Sequence, residues 1–238
     1  RGGARNEREE RIKSLLREVR MGMQHYNSKP RQLSGGLKRR VAIARAFAGS
    51  PARVVCDEPT SALDVSVQAA IINLLAELQV EENVAYLFIS HDLNVVRYIA
   101  DRVAVMYLGR LMEVGTADRV FAGPNHPYTE ALLSASPDLA DDKRIRLEGE
   151  IPEPSNPPSG CVFQTRCPRK IGEICETVEP ELEEAEPGWF KRCHIPVEEL
   201  AGINAPLFPG DGIRTGAGEP CEVDADCASY NCYDNTCQ

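Results

Sequence analysis

The side chains best suited to chemistry in this 238-residue sequence lie in three short stretches. Val54-Val55-Cys56 is a small apolar run that ends in Asp57-Glu58-Pro59. Carboxylates at the C-terminal end of a buried strand stand where α/β sheets hold their ligands. Asp57 suits Mg²⁺, a hard cation that takes oxygen ligands, often through water. Glu58 suits the orientation or deprotonation of an attacking water. An ordinary solvated strand end could carry the same pair. Ala85 to Ile89 is a second apolar run, closed by Ser90-His91-Asp92. A histidine there can meet a phosphate, position water, or serve only as a satisfied structural group. The third stretch, Leu33-Ser34-Gly35-Gly36, precedes a helical apolar pattern. Ser34 reads as an N-cap, and Gly35 and Gly36 let backbone N–H groups approach an anion at a positive helix end. Alone, it equally describes an ordinary capped helix.

The elements that must hold these residues follow from periodicity. Ile12, Leu15, Leu16 and Val19 place an amphipathic helix within 1–23, and polar Gln24 to Gln32, with Pro30, reads as a loop. Leu37, Val41, Ile43, Ala44 and Phe47 predict a helix from Leu37 to Ala48, broken by Gly49-Ser50-Pro51. A strand follows at Arg53 to Cys56, then a turn through Asp64 and a helix from Val65 to Val80. Ala85 to Ile89 predicts a second strand and Leu93 to Ile99 a short helix. Arg102 to Met106 and Arg110 to Val114 read as strands joined across Tyr107-Leu108-Gly109. Alternating strand and helix from Arg53 to Ala100 predicts an α/β core with a mainly parallel sheet. A net charge of −9 argues against a nucleic-acid surface, although basic residues gather before Arg45 and acidic ones after Glu148. No apolar run reaches membrane-spanning length, and no signal peptide is visible.

Taken together, Cys56-Asp57-Glu58-Pro59-Thr60-Ser61-Ala62-Leu63-Asp64-Val65-Ser66-Val67-Gln68, Ile89-Ser90-His91-Asp92-Leu93 and Asp101-Arg102-Val103-Ala104-Val105-Met106-Tyr107 form a recognisable order. They resemble the Walker B strand, D-loop, switch region and following strand of ABC-type ATPases, with Leu33-Ser34-Gly35-Gly36 as the signature. His126-Pro127-Tyr128-Thr129 and Asn156-Pro157-Pro158-Ser159-Gly160-Cys161 are similar to segments that separate peptide importers from most other ABC ATPases. From Leu33 to about Val197 the chain resembles the ATP-binding subunit of an oligopeptide or dipeptide ABC importer.

The resemblance implies a partial P-loop NTPase domain of α/β class. Residues 1–32 would be a remnant of the helical subdomain and 33–122 the C-terminal part of the ATPase domain. Residues 123–200 would be the importers' small irregular Cys-bearing extension, and 201–238 a linker and Cys-rich tail. ATP and Mg²⁺ are the implied cofactors. Ser34, Gly35 and Gly36 would bind the γ-phosphate held by a partner's phosphate loop. Asp57 would position Mg²⁺, Glu58 would act as general base, His91 would contact the γ-phosphate, and Asp64 would communicate across a dimer. The implied partners are a second ABC ATPase subunit, identical or not, membrane permease subunits and, indirectly, a peptide-binding protein, with no nucleic acid. The implied location is peripheral, on the cytoplasmic face of the inner or plasma membrane.

The sequence departs from that pattern in two places. Leu37 follows the signature where the family commonly has Gln or Met. No G-x-x-x-x-G-K-[ST] motif occurs, and Gly2-Gly3-Ala4 lacks the lysine and hydroxyl of one. The family places that loop, an adenine-stacking aromatic and the Q-loop ahead of residue 1. The chain alone is therefore expected not to hydrolyse ATP, and to be poorly stable because part of its sheet and core is left uncovered. Two other readings stay open: a non-catalytic fragment supplying the signature in trans, and a metal or iron–sulfur module. A DNA-repair ATPase shares the core motifs but gives no reason for His126-Pro127-Tyr128.

The cysteines form two groups. Cys161, Cys167, Cys175 and Cys193 read C-x5-C-x7-C-x17-C. Four thiolates suit Zn²⁺ or an iron–sulfur cluster, and two disulfides or free thiols fit as well. The missing C-x2-C pair weighs against zinc. The resemblance brings in a [4Fe–4S] cluster, since some importers carry one at such a quartet. His194 reads as a neighbour rather than a ligand. His126-Pro127-Tyr128 reads as packing the extension or docking towards the permease. Cys56 reads as a small buried hydrophobe. Pro206 to Pro220 reads as a flexible linker. Cys221, Cys227, Cys232 and Cys237, with few apolar residues between them, need disulfides or metal to hold a shape. That tail is similar to short cysteine-rich repeats of secreted bacterial proteins, at odds with a cytoplasmic ATPase, and reads as a fused segment with no role in transport. Asp224, Asp226 and Asp234 are a weak Ca²⁺ signal.

Overall fold

The computed structural model describes residues 5–136 and 144–201. Gly2-Gly3-Ala4, the Pro206 to Pro220 linker, and the tail with Cys221, Cys227, Cys232, Cys237 and its aspartates lie outside the described residues. Two compact units divide between Ile99 and Ala100.

The first unit runs α1 (Arg5–Glu18), α2 (Gly35–Phe47), β1 (Arg53–Asp57), α3 (Val65–Glu81), β2 (Ala85–Ile89) and α4 (Leu93–Ile99). These bounds lie within a few residues of those read from periodicity. β1 and β2 pair in parallel, from Arg53 opposite Ala85 to Asp57 opposite Ile89. Successive side chains alternate across a strand. Val54, Cys56, Tyr86 and Phe88 therefore meet a core of Leu15, Val19, Phe47, Ile71, Leu75 and Leu78. Burial pushes the Cys56 thiol up to about 11, so it stays an uncharged hydrophobe there. α3 buries Ile71, Leu74, Leu75 and Leu78, the spacing of one helical stripe. The opposite face of the strands is open: Val55 is 64% exposed, Leu87 61% and Ile89 46%.

The second unit runs β3 (Arg102–Tyr107), β4 (Arg110–Thr116), α5 (Ala117–Ala122), α6 (Pro127–Ser134), α7 (Glu173–Thr177), β5 (Glu183–Glu186), β6 (Trp189–Lys191) and α8 (Val197–Ala201). Its sheet has the order β3-β4-β6-β5 and every pairing is antiparallel. The expectation of a mainly parallel sheet thus holds, among the described strands, only for β1 and β2. The reason is local. Leu108 and Gly109 both have positive φ, 45° and 76°, the hairpin turn whose twist matches its strands. A two-residue return can make only an antiparallel pair. β4 then pairs with β6, Glu113 opposite Lys191, so the sheet joins segments that the motif reading divides at residue 122. No helix among the described residues is long and apolar enough to cross a membrane.

Candidate functional site

The parallel register ends β1 and β2 level, and the site grows from those ends. Glu58 N–H donates to the Ile89 carbonyl at 3.0 Å, extending the ladder one step. Glu58 then turns into the left-handed region at φ 45°. That conformation costs a residue with a Cβ about 1–2 kcal/mol and persists only where surroundings impose it. Here the Ser61 N–H and hydroxyl both donate to the Glu58 carbonyl, at 3.2 and 3.0 Å. The turn aims the carboxylate across the strand ends, where Glu58 Oε1 lies 2.8 Å from His91 Nδ1. The hydrogen bond that His91 donates to Glu58, and then the Glu58 charge, raise the His91 pKa above its ordinary value, with Asp92 adding less. The imidazole side chain is 81% exposed, so the pair opens directly to solvent. Asp57 is exposed beside it and makes no ion pair or side-chain hydrogen bond with another described residue. A carboxylate–imidazole pair open to water, with a free carboxylate next to it, can deprotonate a water and hold a solvated cation nearby.

The signature stretch sits at the N-terminus of α2. Ser34 Oγ accepts from Leu37 N–H at 3.3 Å and keeps its own proton to donate. A methyl group on Gly36 would come within 2.9 Å of Val67 Cγ1, whereas one on Gly35 would lie 3.6 Å from Leu63. Packing of α2 on α3 therefore already demands glycine at 36. Sequence reasoning credited both glycines to anion approach alone. Asp64 caps α3, its carboxylate accepting from Val67 N–H at 2.9 Å and the Ser66 hydroxyl at 2.7 Å. These bonds, that of Ser66 first, hold its pKa below the usual carboxylate value. An open hollow of about 300 Å³, lined by Gly35, Lys38 and Arg39 of α2 and by Ser61 and Ala62, joins the signature and the turn before α3. Two residues that sequence reasoning left without a role complete the site. Gln68 Nε2 donates to Asp92 Oδ2 at 2.8 Å. The signal was present: Gln68 stands one helical turn beyond the Asp64 cap, on the same face.

In the second unit Cys161, Cys167, Cys175 and Cys193 are all free thiols. Cys161 N–H donates to the Cys175 carbonyl at 2.8 Å, and Gly160 before it has φ 67°. Burial, reinforced by the neighbouring thiols, pushes Cys167 up to about 12 and Cys193 to about 11. Backbone N–H groups pull the other way: Phe163 and Gln164 on Cys161, Arg169 on Cys167, Ile195 on Cys193. Among the described residues no three or more His, Cys, Asp or Glu side chains converge as a metal centre. The four thiols are thus neighbours rather than a closed ligand set. His194 meets the Val178 carbonyl at 2.9 Å, a neighbour as expected.

His126-Pro127-Tyr128 packs the extension. His126 is buried and caps α6, its Nδ1 accepting from Tyr128 N–H at 3.0 Å, and burial holds its pKa down at about 3. The Tyr128 ring packs at a tilt, 4.8 Å from Tyr107 and 5.2 Å from Phe163. Beneath it Glu113, fully buried, accepts from Asn125 Nδ2 at 3.1 Å, His126 N–H at 3.0 Å and Trp189 Nε1 at 2.7 Å.

Comparison with known proteins agrees in both units. Residues 3–61 match the family described as "ABC transporter", and residues 112–175 match "Oligopeptide/dipeptide transporter, C-terminal region". A putative peptide import ATP-binding protein of Brucella ovis is 50% identical over 194 residues, 80% of this chain and 61% of that protein. The oligopeptide transport ATP-binding protein AppF of Bacillus subtilis is 49% identical over 194 residues, 79% of this chain and 59% of its own length. The dipeptide transport ATP-binding protein DppF of Escherichia coli is 49% identical over 184 residues, 76% of this chain and 55% of its own. The chain spans about three fifths of the length of these relatives.

Proposed function

We propose that this chain, which belongs to the ABC transporter family over residues 3–61 and to the oligopeptide/dipeptide transporter C-terminal family over 112–175, forms part of an ATP-hydrolysing machine that powers peptide uptake. The observation that carries this reading is the 2.8 Å contact between Glu58 and His91 at the ends of two parallel strands. Phosphoryl transfer to water is mostly a matter of positioning and charge stabilisation around an in-line attack. Glu58 takes the proton of the attacking water. His91 fixes the Glu58 carboxylate and reaches the γ-phosphate. Asp57 would hold Mg²⁺ through water, and the cation neutralises phosphate charge when bound. Ser34 donates its remaining proton to the γ-phosphate of ATP carried by a partner, with Gly35 and Gly36 alongside, and Asp64 lies where the partner is sensed.

The proposed assembly is a head-to-tail pair with a second ABC ATPase subunit. It sits peripherally on the cytoplasmic face of the membrane, against permease subunits served by a peptide-binding protein. The test is ATP turnover by the 238-residue chain alone and mixed with a complete homologous subunit. The chain alone should be silent, because it carries no phosphate-loop motif. The mixture should exceed the complete subunit by itself, and Ser34→Ala should cut that increment about a hundredfold, as loss of one preorganised donor does. Turnover by the chain alone, or no increment, overturns the reading.

We propose a second site at the four free thiols of the extension, three of which receive backbone N–H groups. Such donors favour the thiolate form that metals bind. Cys161, Cys167, Cys175 and Cys193 would hold a [4Fe–4S] cluster or, failing that, Zn²⁺, only on drawing together from the separate positions they hold here. Iron and zinc content with the visible spectrum of anaerobically purified chain decides it. Metal-free protein with four titratable thiols overturns it.

A further inference from the structure

Asp64, Val67 and Gln68 lie on the first turn of α3, and each engages a different part of the site. Asp64 caps the helix. Val67 is the side chain on which Gly36 of α2 rests. Gln68 Nε2 donates to Asp92 Oδ2 at 2.8 Å, across a part-buried contact where water competes less. Asp92 follows His91 directly in the chain. Its other oxygen accepts from the N–H groups of Asn94 and Val95, at 3.0 and 3.4 Å, at the start of α4. Its own N–H donates to Ser90 Oγ at 3.1 Å. A carboxylate engaged at both oxygens has one orientation, so Ser90 to Asp92 is pinned between α3 and α4. Tyr98 of α4 also reaches α3, its hydroxyl donating to Asn73 Oδ1 at 3.2 Å, which steadies the same pair of helices. A neutral amide does this without placing a cation beside the carboxylate–imidazole pair.

We propose that Gln68 is a positioning residue for ATP hydrolysis: by holding Asp92 it sets His91 against Glu58, and with Val67 beside it one turn of α3 ties the signature loop to the switch histidine. The inference rests on the ATP-hydrolysis reading and deepens it. A shift of α2, when a partner's phosphate engages Ser34, passes from Gly36 to Val67, and from the adjacent Gln68 to Asp92 and His91. The path uses contacts rather than distance, and all of it lies within the first unit.

The test uses the full chain, isotopically labelled, with two readouts: the His91 imidazole titration and amide exchange at Asn94 and Val95. Gln68→Leu removes the donor. Gln68→Glu combined with Asp92→Asn restores the hydrogen bond with its direction reversed, while Asn keeps a capping oxygen. In Gln68→Leu, exchange at both amides should quicken roughly fivefold to tenfold, the loss of one hydrogen bond, and the His91 midpoint should fall towards that of a free histidine. The double variant should restore slow exchange. Unchanged exchange and titration in folded Gln68→Leu, or a double variant that restores neither, overturns the positioning role even where the mixture hydrolyses ATP. A silent mixture with both spectroscopic effects present overturns the ATP reading and leaves the tie between Gln68 and His91 standing. If Gln68→Leu unfolds, Gln68→Met makes the same comparison with an unbranched side chain.

Discussion

Glu58 meets His91 at the edge of solvent, and that contact raises the imidazole's pKa. A histidine whose folded pKa is raised by a partner gives stabilisation that is complete below its ordinary value of 6.5 and lost as pH rises through the raised value. His91 should therefore titrate above 6.5 by NMR, and Glu58→Gln should return it close to that value. A midpoint at 6.5 in the unsubstituted chain would mean that the contact does not persist in water. The residues themselves were legible in the sequence, because acidic and imidazole groups after apolar strands have few places to go. Their meeting was not legible, since it depends on β1 and β2 pairing without offset and on the left-handed turn at Glu58. Gln68 escaped notice for a related reason: a polar residue on a helix surface announces no partner until the packing of α3 against the start of α4 supplies one.

At the scale of elements, two glycines are fixed by what stands beside them. Gly36→Ala should force α2 away from α3, at a cost of about 1–3 kcal/mol in urea unfolding, because Val67 Cγ1 would stand 2.9 Å from the new carbon. Val67→Ala in the same chain should recover most of it. Gly160→Ala faces both a positive φ and the Cys175 carbonyl 2.4 Å from the new carbon. It should cost more than Gly36→Ala and loosen the thiol neighbourhood, read as faster alkylation of Cys161 and Cys175. His126 gives the second unit a pH dependence of the opposite sense to that of His91. Its folded pKa is depressed to about 3, so its contribution is present above the ordinary histidine value and lost as pH falls below it. Between pH 6.5 and 4 the unsubstituted chain should lose about 1.4 kcal/mol per pH unit relative to His126→Asn, measured by denaturant unfolding at each pH. The helices and strands of the first unit were readable from their apolar stripes. In the second unit β3, β4 and the turn between them were readable too, but β5 and β6 were not, because Glu183–Glu186 has no apolar alternation and β6 spans only Trp189–Lys191.

For the molecule as a whole, the bare face of the β1–β2 pair matters most. Parallel sheets are normally covered on both faces, and Val55, Leu87 and Ile89 stand open here. Replacing Val55 with Thr and Leu87 with Lys should reduce binding of an apolar dye and self-association, measured by light scattering, while leaving helical circular dichroism intact. Loss of the fold on these two changes would show that the face is buried in solution. Composition and motif order thus revealed the kind of molecule and led to the expectation of a partly uncovered sheet, but not which side chains stand open, because exposure is a property of packing rather than of sequence pattern. The backbone at Glu58 carries a further cost, and it bears on how such a chain drifts under selection. Glycine or asparagine at position 58 relieves the turn, so a library screened only for heat resistance should enrich them there and enrich them early. On the proposed reading the survivors would be sturdier proteins with nothing to accept a proton from water, and persistence of glutamate at 58 across generations would be a record of that proposed work.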